Sequence, residues 1–165
     1  MRGIPTVQLY LMRHGIAVER EDWDGPDAAR PLTLEGRKKT KAIAKALKRH
    51  RGLSVDEIWA SPLARARETA EIVGEVLDVP VRSCAPLGEG AGLDDLAPEI
   101  QAAASLERIL MVGHEPDLGF LLAGLIGERE ARPFKKGGVA FLSGTFAKGK
   151  MHLEWQLAPK EILGE

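Results

Sequence analysis

The sequence predicts a three-layer α/β/α sandwich around a mostly parallel central sheet. Three observations point there. Short apolar runs alternate with helix-patterned stretches over most of the chain, Gly- and Pro-containing turns separate them, and polar residues directly follow several of the runs. A length of 165 residues fits one domain, 1–165, without a linker or internal repeat.

The elements follow in order. Ile4 to Met12 reads as a buried first strand. It is far shorter than the roughly 20 apolar residues of a membrane span. Arg13 and His14 interrupt it with no small-residue cleavage site beyond, so no signal peptide is expected. A loop rich in charge, Gly and Pro, Glu19 to Pro31, leads to Thr33, the expected N-cap of a helix reaching about His50. Leu34, Ala42, Ile43, Ala46 and Leu47 recur at helical spacing and form its expected apolar face, while Arg37, Lys38, Lys41, Lys45 and Lys48 face elsewhere.

Gly52 ends that helix, and Glu57 to Ala60 is a short buried strand. Ser61-Pro62 then reads as an N-cap followed by a first-turn proline, opening a helix to about Leu77. Val79 to Cys84 is a third strand, Pro86 to Gly92 a Gly-rich loop, and Asp94 or Asp95 starts a helix through Ala104. Arg108 to Val112 is a compact strand, and Pro116 opens an apolar helix through Ile126. Gly138 to Leu142 and Met151 to Leu157 alternate as an antiparallel pair joined across 144–150.

Composition narrows the function classes. Lys plus Arg is 23 against 24 for Asp plus Glu, a formal net charge of -1, so no global field advertises nucleic acid or an anionic membrane. Any anion site must be local. Cys84, the single cysteine, forms no internal disulfide or cysteine-based zinc site and points to a reducing, cytoplasmic setting.

Ligands of an open α/β sheet bind beyond the carboxyl ends of its strands. Three expected strand ends carry polar residues: Arg13-His14-Gly15, Ser61 with Arg65 on the helix after it, and Gly113-His114. Gly15 permits a tight turn and close ligand approach there. If these ends lie side by side, two imidazoles and two guanidiniums converge, a set suited to phosphoryl transfer. Guanidinium forks match phosphate oxygens. A neutral imidazole attacks phosphorus, splitting hydrolysis into formation and breakdown of a phosphoenzyme.

Four motifs in this order are specific: Leu11-Met12-Arg13-His14-Gly15, Arg30-Pro31-Leu32-Thr33 with Gly36, Ser61-Pro62-Leu63-Ala64-Arg65-Ala66 with Thr69, and Val112-Gly113-His114. With them the chain resembles, over most of its length, the SixA-type phosphohistidine phosphatases of the histidine phosphatase superfamily, to which cofactor-dependent phosphoglycerate mutases also belong. The resemblance implies a phosphoglycerate mutase-like fold and a phosphatase that needs no metal or other cofactor. It implies that His14 becomes phosphorylated, that Arg13 and Arg65 bind the phosphoryl group, and that His114 donates a hydrogen bond to its equatorial oxygens. Arg30 matches an arginine that the SixA branch places before its first helix, an additional phosphate ligand. Many relatives with alcohol leaving groups carry an acid in the loop between the middle strands. Glu89 lies in the comparable loop and is the candidate general acid, with Asp94 a weaker substitute.

The expected substrate is a phosphohistidine of a protein or a small phosphorylated molecule, with neither nucleic acid nor membrane as partner. Two alternatives stay open: a non-catalytic phosphate- or phosphopeptide-binding module, and a broad small-molecule phosphomonoesterase. A mutase is disfavoured because so short a chain offers few segments to enclose a diphosphorylated sugar acid. A metallohydrolase is disfavoured because only His14 and His114 are strand-end nitrogen ligands, with no carboxylate pattern beside them. His50 reads as ending a basic helix, where it suits the helix dipole, His152 as part of an alternating strand, and Trp23 as a loop anchor or lid. Lys135-Lys136-Gly137-Gly138 reads either as a solvated turn or as a contact for an extended phosphate chain or acidic partner. Arg30 has a local alternative of its own, pairing with Asp27.

Overall fold

The computed structural model describes residues 6–90 and 92–165. Six strands form one sheet, in the order β3-β2-β4-β1-β5-β6: β1 (Thr6–Arg13), β2 (Glu57–Ala60), β3 (Val81–Ser83), β4 (Arg108–Gly113), β5 (Val139–Thr145) and β6 (Met151–Leu157). The first four are mutually parallel; β5 and β6 add antiparallel on the far side of β1. The helices are α1 (Leu34–Arg51), α2 (Ala64–Leu77), α3 (Leu93–Ala102), α4 (Asp117–Ile126) and α5 (Pro159–Leu163).

Strand side chains alternate between two faces, and here both faces are buried, as parallel sheets require. Leu9, Leu11, Ile109 and Met111 pack with Leu96 and Ile100 of α3 and Leu118, Leu122 and Leu125 of α4. Tyr10, Met12, Leu110 and Val112 pack with Ile43 and Leu47 of α1 and Ala66, Ala70 and Val73 of α2. The short α5, which hydrophobic spacing does not announce, adds Ile162 and Leu163 to this second layer. The α/β/α sandwich and the mixed, mainly parallel sheet are therefore both present.

Local chemistry sets the boundaries. Thr33 caps α1, its side chain accepting the Gly36 amide hydrogen bond at 2.9 Å, and Gly52 ends the helix at a φ of 63°. The buried face of α1 differs from the expected one. Leu34 is 70% exposed and Ala42 faces water, whereas Gly36, Thr40, Ile43, Ala44 and Leu47 are buried. The row begins at Gly36 because the helix presses against the chain there: a Cβ on Gly36 would lie 2.1 Å from the Ile16 carbonyl oxygen. The second helix also starts later than its Ser-Pro signal indicates, with Leu63 as N-cap. Ser61 is not that cap, for reasons that lie in the site.

Candidate active site

The carboxyl ends of β1, β4 and β2 lie side by side because the parallel ladder continues past each strand. His14 N–H donates to Gly113 O at 3.1 Å, and Ser61 N–H donates to Val112 O at 3.1 Å. From the β5 side, Gly137 N–H donates to the carbonyls of Arg13 (3.1 Å) and His14 (3.0 Å), and Arg13 N–H donates to Gly138 O at 3.1 Å. Backbone bonds thus clamp the Arg13-His14 segment on both sides. Gly15 follows, its N–H donating to Thr69 Oγ1 at 3.0 Å. The reason for glycine there is helix packing: a Cβ would lie 2.5 Å from Thr40 Oγ1 of α1.

This frame brings the two imidazoles together, with ring centroids 5.5 Å apart and a 51° interplanar angle. Both are buried. His14 Nδ1 lies 2.8 Å from Gly15 O. A carbonyl only accepts, so Nδ1 carries the proton and Nε2 keeps a free lone pair. Burial lowers the pKa of His14 to about 3; the Gly15 hydrogen bond opposes this, and His114, Arg13 and Arg65 push the same way as burial. Burial, then Arg65, lowers His114 to about 4 against the opposing charge of Asp117. Both rings are neutral at pH 7.

The guanidiniums are anchored rather than free. Arg13 Nη1 donates to Phe134 O at 2.8 Å. Burial pushes the Arg13 guanidinium below its usual pKa. Arg65, on the first turn of α2, is 5% exposed and donates from Nη1 to Asp27 O (3.0 Å) and from Nη2 to Asp27 Oδ2 (3.2 Å). Arg30 donates from Nε to Asp27 Oδ1 at 3.0 Å and from Nη1 to Val18 O at 2.6 Å. Asp27 therefore bridges two of the arginines. Arg30 holds its carboxyl below the usual range through that hydrogen bond, and Arg65 adds to the effect.

Arg13, His14, Arg30, Arg65 and His114 line one cavity of about 280 Å³, joined by Arg20, Glu19, Glu21, Glu115 and Lys136. A larger surface groove of about 780 Å³ runs between α1 and α2, lined by Lys41, Lys45, Lys48 and Arg49 among others. It contains no imidazole and lies away from the strand ends, so the smaller cavity is the candidate site. Among the described residues, no cluster of three or more His, Cys, Asp or Glu side chains is arranged to hold a metal ion.

Five of the six site residues expected from the sequence thus meet. Glu89 stands apart: it is exposed on the turn after β3 and does not line the cavity. That turn does approach the site from the α4 side, where Gly90 N–H donates to Asp117 Oδ2 at 2.8 Å. Trp23 donates from Nε1 to Pro26 O at 2.9 Å, anchoring its own loop. Lys136 lines the cavity and Lys135 a neighbouring groove.

Sequence reasoning missed three contributions. Asp27 was visible only as a partner for Arg30, yet it also fixes Arg65. Glu115 accepts from the Phe134 amide at 2.8 Å and the Gly119 amide at 3.3 Å, tying the segment that anchors Arg13 to α4. Ser61 makes a contact with His114. No local pattern announces these pairs, because each joins segments remote in the chain.

Comparison with known proteins places the fold and the family. The family model of the histidine phosphatase superfamily (branch 1) matches residues 9–93. The chain belongs to the histidine phosphatase superfamily. Within it, the chain is a SixA-type phosphatase. Phosphohistidine phosphatase SixA of Escherichia coli is 27% identical over 93% of this chain and 94% of its own. An uncharacterized protein of Picosynechococcus sp. is 36% identical over 95% of this chain and 99% of its own. A solved structure of the protein histidine phosphatase SixA complexed with tungstate superposes with a TM-score of 0.84 at 26% identity, covering 94% of this chain and 99% of that one.

Proposed function

We propose that this phosphatase hydrolyses phosphohistidine, and small phosphorylated molecules with comparably labile leaving groups, through a phosphoryl group carried on His14. One observation carries the reading. His14 Nδ1 is committed to Gly15 O, so the unprotonated Nε2 is the free ring nitrogen, held neutral in a cavity that it shares with Arg13, Arg65 and His114. The names of the SixA relatives support phosphohistidine as substrate.

In the first step Nε2 bonds to phosphorus and the bond to the leaving group breaks. Arg13, Arg65 and His114 hold the three equatorial oxygens, and Arg30 adds a cation beside them. Stabilisation is electrostatic and preorganised, since the anchors of Arg13 and Arg65 fix the donors before substrate arrives. In the second step water attacks the phosphohistidine and restores His14. The leaving imidazole of a phosphohistidine substrate needs little proton assistance. For alcohol esters, Glu89 is the proposed general acid, although in this structure it sits on the exposed turn after β3, outside the cavity lining. No metal takes part in either step, and a cytoplasmic location is supported by a single, buried, unpaired Cys84.

The test is a rapid quench in alkaline denaturant, where a phosphoramidate survives, after mixing with phosphate-labelled substrate. Label on His14, and turnover that persists under exhaustive chelation, are expected. Full turnover by His14→Ala with no trapped label would remove the mechanism. A protein that binds phosphate but never releases it from substrate would be the non-catalytic module instead.

A further inference from the structure

We propose that Ser61 is a positioning residue that sets the tautomer of His114, turning its Nδ1 into a hydrogen-bond donor. The inference rests on the phosphatase reading above and adds to it a group outside the two histidines and the arginines. Ser61 is fully buried, and its place is fixed by its own N–H bond to Val112 O. Its Oγ lies 2.5 Å from His114 Nε2 and accepts the Leu63 N–H at 3.3 Å. His114 Nδ1 is buried and has no partner.

Counting donors and acceptors decides the direction of the bond. A hydroxyl has one proton to give. If His114 Nε2 carried the proton and donated to Ser61, the Ser61 hydroxyl proton would have no acceptor and His114 Nδ1 would present a bare lone pair, leaving two buried groups unsatisfied. If Ser61 donates to Nε2, only the Nδ1–H remains. Each buried polar group without a partner costs about 1–3 kcal/mol, so the second arrangement is preferred.

The sign matters for chemistry. A lone pair at Nδ1 repels phosphoryl oxygens, whereas an N–H attracts them and does so more strongly as negative charge spreads over them in the transition state. Ser61 thus decides whether a neutral His114 helps or hinders, and it does so without touching substrate. The arrangement also explains why Ser61 does not cap α2, since its oxygen is directed to the neighbouring strand end.

Long-range proton–nitrogen correlation spectra of the histidine side chains, assigned with the His114→Asn variant, read the tautomer directly in the wild-type protein. A protonated Nδ1 and bare Nε2 on His114 are expected. A proton on Nε2 overturns the proposal, and does so whether or not His14 is phosphorylated. In Ser61→Ala, an Nε2-protonated population should appear on His114 while His14 keeps its Nδ1 proton. Its kcat should fall about tenfold to a hundredfold, with a smaller change in KM because the arginines still hold the ground state. Unchanged tautomer or unchanged kcat in a folded Ser61→Ala protein also overturns it.

Discussion

Acidification from pH 8 to pH 5 should weaken the fold by an amount traceable to two rings. Burial holds His14 at about 3 and His114 at about 4, whereas an imidazole in the unfolded chain titrates near about 6.5. Between those values the unfolded chain binds protons that the folded chain refuses, so stability falls as pH falls. The loss begins near pH 6.5 and is complete for each ring near its folded value. At pH 5 an unfolded imidazole is about 97% protonated while both buried rings are mostly neutral, which corresponds to about 2 kcal/mol per ring. Water at the cavity mouth screens part of this, giving about 3 kcal/mol for the pair. Urea unfolding of the wild type and of the His14→Asn/His114→Asn variant measures it, read as the change within each protein between pH 8 and pH 5, so that any direct effect of substitution cancels. The variant should lose most of the pH-linked change. An identical pH 8 to pH 5 loss in both proteins would refute the claim that the fold holds these rings neutral.

Other outcomes follow from single contacts. Arg13→Ala and Arg65→Ala should each lower kcat by about a hundredfold to a thousandfold in phosphate-release assays, the usual cost of a preorganised donor; wild-type rates would contradict their roles. Asp27→Ala removes the carboxylate shared by Arg30 and Arg65, while their bonds to the carbonyls of Val18 and of residue 27 remain. Losing hydrogen bonds to charged groups at about 1.5–3 kcal/mol predicts a tenfold to hundredfold drop in kcat/KM, and an unchanged value would make the bridge ornamental. Gly36→Ala should destabilise the protein by more than about 1 kcal/mol in urea unfolding, because the added methyl meets the Ile16 carbonyl. Glu89→Gln should slow alkyl phosphate hydrolysis while leaving phosphohistidine turnover unchanged; equal losses on both would remove it as a general acid.

What the sequence made legible was whatever depends on period and order. The strands β2 and β6 appear at their observed limits, and α1, α2 and α4 within a residue or two except where Ser61 misled the start of α2. The site was legible because its residues sit at strand ends, and parallel pairing of β1 with β4 and of β4 with β2 leaves those ends no choice but to meet. Contacts across the chain were not legible. Leu34 looked like core because leucine at helical spacing usually is, but the approach of Gly36 to Ile16 rotates the buried face away from it. Asp27 gave no hint of holding Arg65, 38 residues later, because pairing between segments depends on how loops cross the sheet.

A cavity rich in arginine is a poor place to keep a neutral imidazole unless its charges are restrained, and burial and anchoring do that here. Protonating His14 would add a charge beside Arg13 and Arg65 and would occupy the Nε2 lone pair that the proposed mechanism needs. Burial prevents both at once. Nη1 of Arg13 is tied to Phe134 and both terminal nitrogens of Arg65 to Asp27, while the Nε atoms of both arginines remain buried without partners, as does His114 Nδ1. Three ring or guanidinium nitrogens are thus left unsatisfied in side chains that line one cavity, at a cost in folding stability. On the proposed function, a phosphoryl group is the ligand that would repay it, since its three equatorial oxygens offer acceptors to those donors. A carboxylate has two oxygens and lies in a plane, so it leaves at least one of the three unmatched. Under the proposed function, selectivity for phosphate over carboxylate would follow from the number of those donors, Arg65 contributing its Nε because both of its terminal nitrogens are already bonded to Asp27.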